Sequence, residues 1–229
     1  MALPLTLLIT GTGTDVGKTV LATLLVRRLV QLGHPVHAFK PVCSGGRSDA
    51  QALWRAQRRQ MPLSVVNPWW FETAITPREA ARAAGVSLQL AEVCAHLRRH
   101  ACRTGVTLVE GGGGLLSPLG DDFDTRKLLT ALDAAPLVVA VNRLGVLNEA
   151  WLTLEALPRS ARARARWVLF DPVQPDASSA SNPLLLGERI GADRIHPLPR
   201  CTAHQLLRPK ADLLARLDRL ILELGIPPR

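Results

Sequence analysis

A glycine-rich segment, Gly11-Thr12-Gly13-Thr14-Asp15-Val16-Gly17-Lys18-Thr19, follows the short apolar run Leu5 to Thr10. It is the longer form of the G-x-x-x-x-G-K-T phosphate loop, with five residues instead of four between Gly11 and Gly17. Set between a strand and a helix, such a loop turns successive backbone N–H groups and the helix's positive end toward one point, where phosphates sit. Lys18 then reaches the β- and γ-phosphates, and the Thr19 hydroxyl is a ligand for Mg²⁺. Two other readings of these glycines are a plain tight turn and a dinucleotide fingerprint. The spacing is one residue too long for the fingerprint, no acidic residue closes the next strand, and neither reading accounts for Lys18-Thr19.

Magnesium asks for further oxygen ligands, commonly carboxylates at neighbouring strand ends. Glu110 ends the apolar run Val106 to Val109 and precedes four glycines, which places it at the carboxyl edge of a sheet, beside the phosphate loop. Asp49 begins a helical stretch and reads equally as a metal ligand or as a helix N-cap. Lys40 ends the second strand at the same edge, where a point charge suits a second anion near the γ-phosphate or else simply faces solvent. Ser44-Gly45-Gly46 adds hydroxyl and backbone donors to that loop.

The elements that must position these groups follow an α/β grammar. After Gly17, the spacing of Val20, Leu21, Leu24, Leu25 and Leu29 is that of a helix lying on a sheet, stopped at Gly33. Pro35 to Phe39 reads as a strand and Asp49 to Gln60 as a helix; the pattern returns with a strand at Val106 to Val109, a helix at Thr125 to Leu132 and a strand at Leu137 to Val141. A helix over Asn148 to Leu157, strands at Trp167 to Phe170 and Arg194 to Leu198, and a helix over Ala211 to Leu224 complete the series, with a polar loop from Asp171 to Pro183. The expected fold is a single-domain, doubly wound, mainly parallel sheet with helices on both faces, spanning residues 1–229.

Composition narrows the setting. The chain has 229 residues, 47% of them hydrophobic, enough for a buried core in one α/β domain. No apolar run approaches the roughly 18 residues of a membrane span, and the amino terminus lacks a basic leader and cleavage site, so a cytoplasmic protein without membrane contact is expected. Cys43, Cys94, Cys102 and Cys201 form no C-x-x-C pair and no zinc pattern with histidine. The net charge of +9 is spread as single and paired arginines along the chain. Its densest stretch, Arg159 to Arg166, has no interleaved aromatic ring, so solvated charge rather than nucleic-acid binding is expected.

Several separated blocks together resemble the dethiobiotin synthetase family. They are Gly11-Thr12-x-Thr14-x-Val16-Gly17-Lys18-Thr19, Lys40-Pro41-Val42-x-Ser44-Gly45, Asn67-Pro68-x-x-Phe71, Val109-Glu110-Gly111-x-Gly113-Gly114 with Pro118-Leu119, and Leu144-Gly145-x-x-Asn148. The likeness runs from Ile9 to about Thr153 and thins beyond it. It implies Mg-ATP-dependent closure of 7,8-diaminopelargonic acid and CO₂ to the cyclic urea dethiobiotin, through a carbamate and a carbamic-phosphoric anhydride. Under the resemblance, Lys18 and Lys40 are the catalytic pair flanking the carbamate and the phosphoryl group in flight. Gly13, Thr14, Asp15, Val16, Gly17, Lys18, Thr19, Glu110 and Gly113 bind nucleotide, while Thr19, Asp49 and Glu110 hold Mg²⁺. Thr14, Asp15, Lys40, Ser44 and Gly113 line the substrate side. The family works as a homodimer, and the segment matching Gly145, Val146, Leu147 and Asn148 binds the substrate carboxylate across the interface. One departure stands out: Phe170 occupies the place of an asparagine that often reads the adenine base.

Three rivals remain open on sequence. Partitioning or metal-delivery ATPases resemble K-G-G-x-x-K-[ST], whose early lysine is absent here, since Thr12 and Gly13 occupy that region. A nucleic-acid binder would use the basic surface and weaken steeply with salt. The cobyrinic acid amide synthases add a glutamine-hydrolysing domain with a catalytic cysteine, for which no stretch after residue 150 is suited.

Overall fold

A computed structural model of the chain describes residues 4–227. The apolar opening run forms β1 (Leu5–Gly11), and the phosphate loop leads directly into α1 (Lys18–Gln31). β2 (Val36–Phe39) and β3 (Val42–Ser44) precede α2 (Ser48–Ala56), α3 (Leu63–Val66) and β4 (Trp69–Phe71). Two helices follow, α4 (Pro77–Ala83) and α5 (Leu90–His100); the second opens with a reciprocal capping box between Gln89 and Glu92. β5 (Val106–Glu110), α6 (Thr125–Ala131), β6 (Ala135–Val141) and α7 (Val146–Ala156) carry the middle of the chain. The remainder is α8 (Arg159–Arg162), β7 (Arg166–Phe170), α9 (Asn182–Ile190), β8 (Ile195–Leu198), α10 (Ala203–Leu207) and α11 (Ala211–Glu223).

Six strands form one sheet in the order β2-β5-β1-β6-β7-β8, and every pairing in it is parallel. β3 and β4 pair as a separate two-stranded parallel unit. Because side chains alternate across a pleated strand, each central strand feeds two cores. Leu8, Val109, Val138, Ala140, Trp167 and Leu169 enter the core shared with α5, α6, α7 and α9. Leu7, Ile9, Leu108, Leu137, Val139, Val168 and Phe170 enter the opposite one, under α1, α2 and α11. In α1 the apolar spacing seen in sequence buries Leu21, Leu24, Leu25 and Leu29 to 2% exposure or less, each worth roughly 1.5–3 kcal/mol relative to a solvent-exposed position.

This is the doubly wound arrangement expected, with the wind reversing about β1, so ligand sites belong at the carboxyl ends of the central strands. Some boundaries differ for identifiable reasons. The helix expected to reach Gln60 ends at Ala56, because Arg58 and Arg59 both take left-handed backbone, φ 55°. α7 begins at Val146 rather than Asn148, since Gly145 supplies a left-handed N-cap at φ 94°. The polar loop after β7 closes earlier than expected, at the start of α9, where Asn182 and Pro183 are already helical.

Candidate active site

The phosphate loop is shaped by its glycines. A side chain at Gly11 would put its Cβ 2.5 Å from Val16 Cγ2, so the loop packs down on Val16, which is itself buried. Gly17 caps α1 at φ 100° with the Phe170 ring directly beneath it, where a Cβ would lie 2.8 Å from Phe170 Cδ2. Phe170 is 5% exposed and belongs to the core under α1, so the aromatic at the end of β7 supports the loop from below. Asp15 holds φ 57°, a left-handed conformation that costs a non-glycine residue on the order of 1–3 kcal/mol and that clusters at ligand sites. Lys18 Nζ donates to Gly13 O at 2.7 Å, laying the amine across the loop.

Glu110 joins three elements. It ends β5 at 1% exposure, adjacent in the sheet to both β1 and β2. Its Oε1 accepts from Thr19 Oγ1 at 2.7 Å and from Lys40 Nζ at 2.7 Å. Lys40 Nζ also donates to Gly111 O at 2.8 Å and stands 3.8 Å from Asp49 Oδ2. The backbone before that lysine's turn is fixed by Asn67, buried, whose Nδ2 donates to Lys40 O at 2.7 Å and whose Oδ1 accepts from Arg47 Nε at 3.0 Å. Asp49 lies in the first turn of α2, and the N-cap position is Arg47, so the N-cap reading of Asp49 does not hold.

Electrostatics separate the two lysines. Burial lowers the Lys18 ammonium to about 8, with the nearby Lys40 charge adding to the effect and Glu110 opposing it. For Lys40 burial pulls the same way, but the Glu110 charge and hydrogen bond outweigh it and the net direction is upward. Lys40 is thus a fixed cation, while Lys18 is poised to respond to an arriving anion.

Glu110 Oε2 is buried and has no hydrogen-bond partner among the described residues, which leaves one side of the carboxylate open to a cation. With the Thr19 hydroxyl and the half-exposed Asp49 carboxylate nearby, the donors are all oxygen, which suits a hard cation such as Mg²⁺. No group of three or more His, Cys, Asp and Glu side chains suited to a metal occurs among the described residues.

A cavity of about 710 Å³ opens over this cluster, lined by Thr14, Lys18, Lys40, Ser44, Asp49 and Glu110 among others. Asp15, Gly17, Thr19 and Gly113 also border it. At Gly113, φ 56°, a Cβ would run into Ser117, so the backbone itself forms the wall. Gly13 and Val16 are not on the wall: the first turns its carbonyl to Lys18, the second lies beneath the loop. Gly145, Val146, Leu147 and Asn148 form the N-terminal edge of α7 and do not border the cavity of their own chain. Cys43, Thr76, Pro77 and Ser117 do border it, and sequence reading missed them. The available signals were Pro118-Leu119, beside Ser117, and the Lys40 to Gly45 block, within which Cys43 stands; nothing in the sequence around Thr76 and Pro77 pointed to the site.

Comparison with known proteins then supplies context. A family model described as an AAA domain matches residues 5–205. The ATP-dependent dethiobiotin synthetase BioD of Ralstonia nicotianae is 32% identical over 215 residues, 90% of this chain and 92% of that protein. The protein of the same name from Anaeromyxobacter dehalogenans is 41% identical over 71% of this chain and 75% of its own length. ATP-dependent dethiobiotin synthetase BioD 1 of Escherichia coli O157:H7 is 31% identical, over 83% and 88% respectively.

Proposed function

The chain belongs to the ATP-dependent dethiobiotin synthetase family, and from that membership we propose how its own residues carry out ring closure. It is an ATP-dependent ligase that forms the C–N bonds of a cyclic urea in biotin synthesis. One amine of 7,8-diaminopelargonic acid adds CO₂ and loses a proton to give a carbamate. The carbamate oxygen takes the γ-phosphoryl group of ATP, releasing ADP. The second amine then attacks the carbonyl carbon of the mixed anhydride, expels phosphate and closes the ring.

All nucleophiles in this sequence belong to the substrate, so the protein's part is positioning and charge stabilisation. The single observation that carries our reading is the Glu110 cluster, in which one buried carboxylate holds both the phosphate-loop hydroxyl Thr19 and the cation Lys40 at 2.7 Å. In our reading Lys18 neutralises the β- and γ-phosphates, and Lys40 faces the carbamate and the phosphoryl group in transit. Gly13, Thr14, Asp15, Val16, Gly17 and Gly113 shape the nucleotide seat; Thr14, Ser44 and Gly113 also border the substrate. Thr19, Glu110 and Asp49 would hold Mg²⁺, which when bound neutralises phosphate charge. Gly145, Val146, Leu147 and Asn148 offer the N-terminal edge of α7 to the substrate carboxylate, the N–H of Val146 being already engaged by Arg143 O at 3.1 Å. Because these residues do not line their own chain's cavity, we favour a homodimer in which α7 serves the partner. We place the enzyme in the cytoplasm and treat residues 1–229 as one synthetase domain.

Incubating the purified protein with diaminopelargonate, bicarbonate, ATP and Mg²⁺ should give dethiobiotin and ADP in equal amounts by mass spectrometry. ADP formed without the cyclic urea would point to an ATPase instead.

A further inference from the structure

Glu149 lies in the first turn of α7 and has no place in the chemistry above, yet it bridges two parts of it. Its Oε2 accepts from Thr12 Oγ1 of the phosphate loop at 3.0 Å, and its Oε1 accepts from Arg143 Nη2 at 2.7 Å. The turn leading into α7 is pinned on its other flank. Asp176 Oδ2 accepts the Leu144 N–H at 2.7 Å, and Asn182 Nδ2 donates to Asn142 Oδ1 at 3.1 Å and to Arg143 O at 3.3 Å.

A carboxylate in a helix's first turn favours the helix dipole wherever it points. Here it would also repel a second carboxylate brought to the same amides, unless held aside and neutralised. Thr12 and Arg143 do both, each occupying one oxygen. Thr12, within the loop, is in turn anchored to β6, its N–H donating to Val139 O at 3.0 Å. We propose that Glu149 is a positioning residue that ties the phosphate loop to the α7 N-terminus, so that nucleotide occupancy and capture of the substrate carboxylate are thermodynamically linked. This rests on the reading that residues 145–148 seat that carboxylate. With the seat serving the partner's cavity, the link runs between the two active sites of a dimer.

The test compares wild type with Thr12→Val, Glu149→Ala, Glu149→Gln and the Thr12→Val/Glu149→Ala double variant. At saturating Mg-ATP, Thr12→Val and Glu149→Ala should each raise KM for diaminopelargonate by about 5–10-fold, the low range of measured couplings. The double variant should be no worse than the weaker single, because one shared contact is lost once. Glu149→Gln, which keeps an acceptor for Thr12 but not the charge facing Arg143, should fall between. KM values within twofold of wild type, even alongside a lowered Tm, would mark a purely structural contact and overturn the proposal, as would additive effects. A second readout does not need turnover: ADP with Mg²⁺ should slow hydrogen exchange at amides 145–148 in wild type and not in Thr12→Val or Glu149→Ala. If wild type yields no cyclic urea, the functional reading fails, and exchange still decides the tie; protection kept in both variants would overturn it.

Discussion

Lys18 sets a working pH. Its ammonium, lowered to about 8 chiefly by burial, is charged below that value and increasingly neutral above it. A triphosphate needs the charged form, and its own charge draws the pKa back up once bound. Accordingly kcat/KM for ATP, which reports the free enzyme, should fall by about tenfold per pH unit above pH 8, while kcat holds to higher pH. A kcat/KM profile flat to pH 9.5 would assign the loop's charge requirement elsewhere. The linkage to stability runs in a definite direction. With the folded value below the ordinary lysine value of 10.5, the unfolded chain binds more protons between about 8 and 10.5, so the cost of burying the Lys18 charge is relieved and stability rises as pH climbs through that window. Lys40 has no such sensitivity, because Glu110 holds it charged. The positions of both lysines were legible in sequence, Lys18 from the phosphate-loop motif and Lys40 from the end of the second strand. The half-bonded state of Glu110 was not, because it depends on three elements meeting.

Elements differ in how much of themselves they declare. β1, the loop and α1 are contiguous and locally encoded, so sequence placed them within a residue or so. The β3–β4 pair was invisible: each strand has three residues, and their partners lie 27 positions apart, as in Val42 with Trp69. Asn67 was noticed as part of a motif, but its task of fixing Lys40 emerges only from contacts across that distance. The segment between Gln60 and Val106 went unassigned in sequence, although α5 carries a clear capping box, because its helices are short and its histidines and arginines blur the apolar stripe. At Gly17 two demands coincide, left-handed backbone and the Phe170 ring. Gly17→Ala should therefore lose roughly 1–3 kcal/mol of stability and most ADP binding. Adding Phe170→Leu should recover only the steric part. Thermal unfolding and ADP titration of the single and double variants check this; a Gly17→Ala protein of wild-type Tm would contradict it.

On the scale of the whole molecule, the sheet order places the lysines, Glu110 and the loop at one edge, and α7, which follows β6, starts beside the loop at that same edge without lining the cavity. Leu144, at the entrance to α7, is 75% exposed, and Leu152 on the same helix is 64% exposed, apolar surface consistent with a subunit contact. Mixing inactive Lys18→Ala chains with inactive Asn148→Ala chains should then restore part of the activity, since one hybrid site carries both intact halves. Mixed dimers shown to form yet remaining inactive would confine each site to a single chain. No helix among the described residues is long and apolar enough to cross a membrane.

One oxygen of Glu110 is clasped by both Thr19, at the head of α1, and Lys40, just beyond the tail of β2. A side chain gripped in this way behaves as a hinge pin. Whatever draws on its open side moves both clasped ends together, so Thr19 and Lys40, which stand on separate elements, keep step with one another.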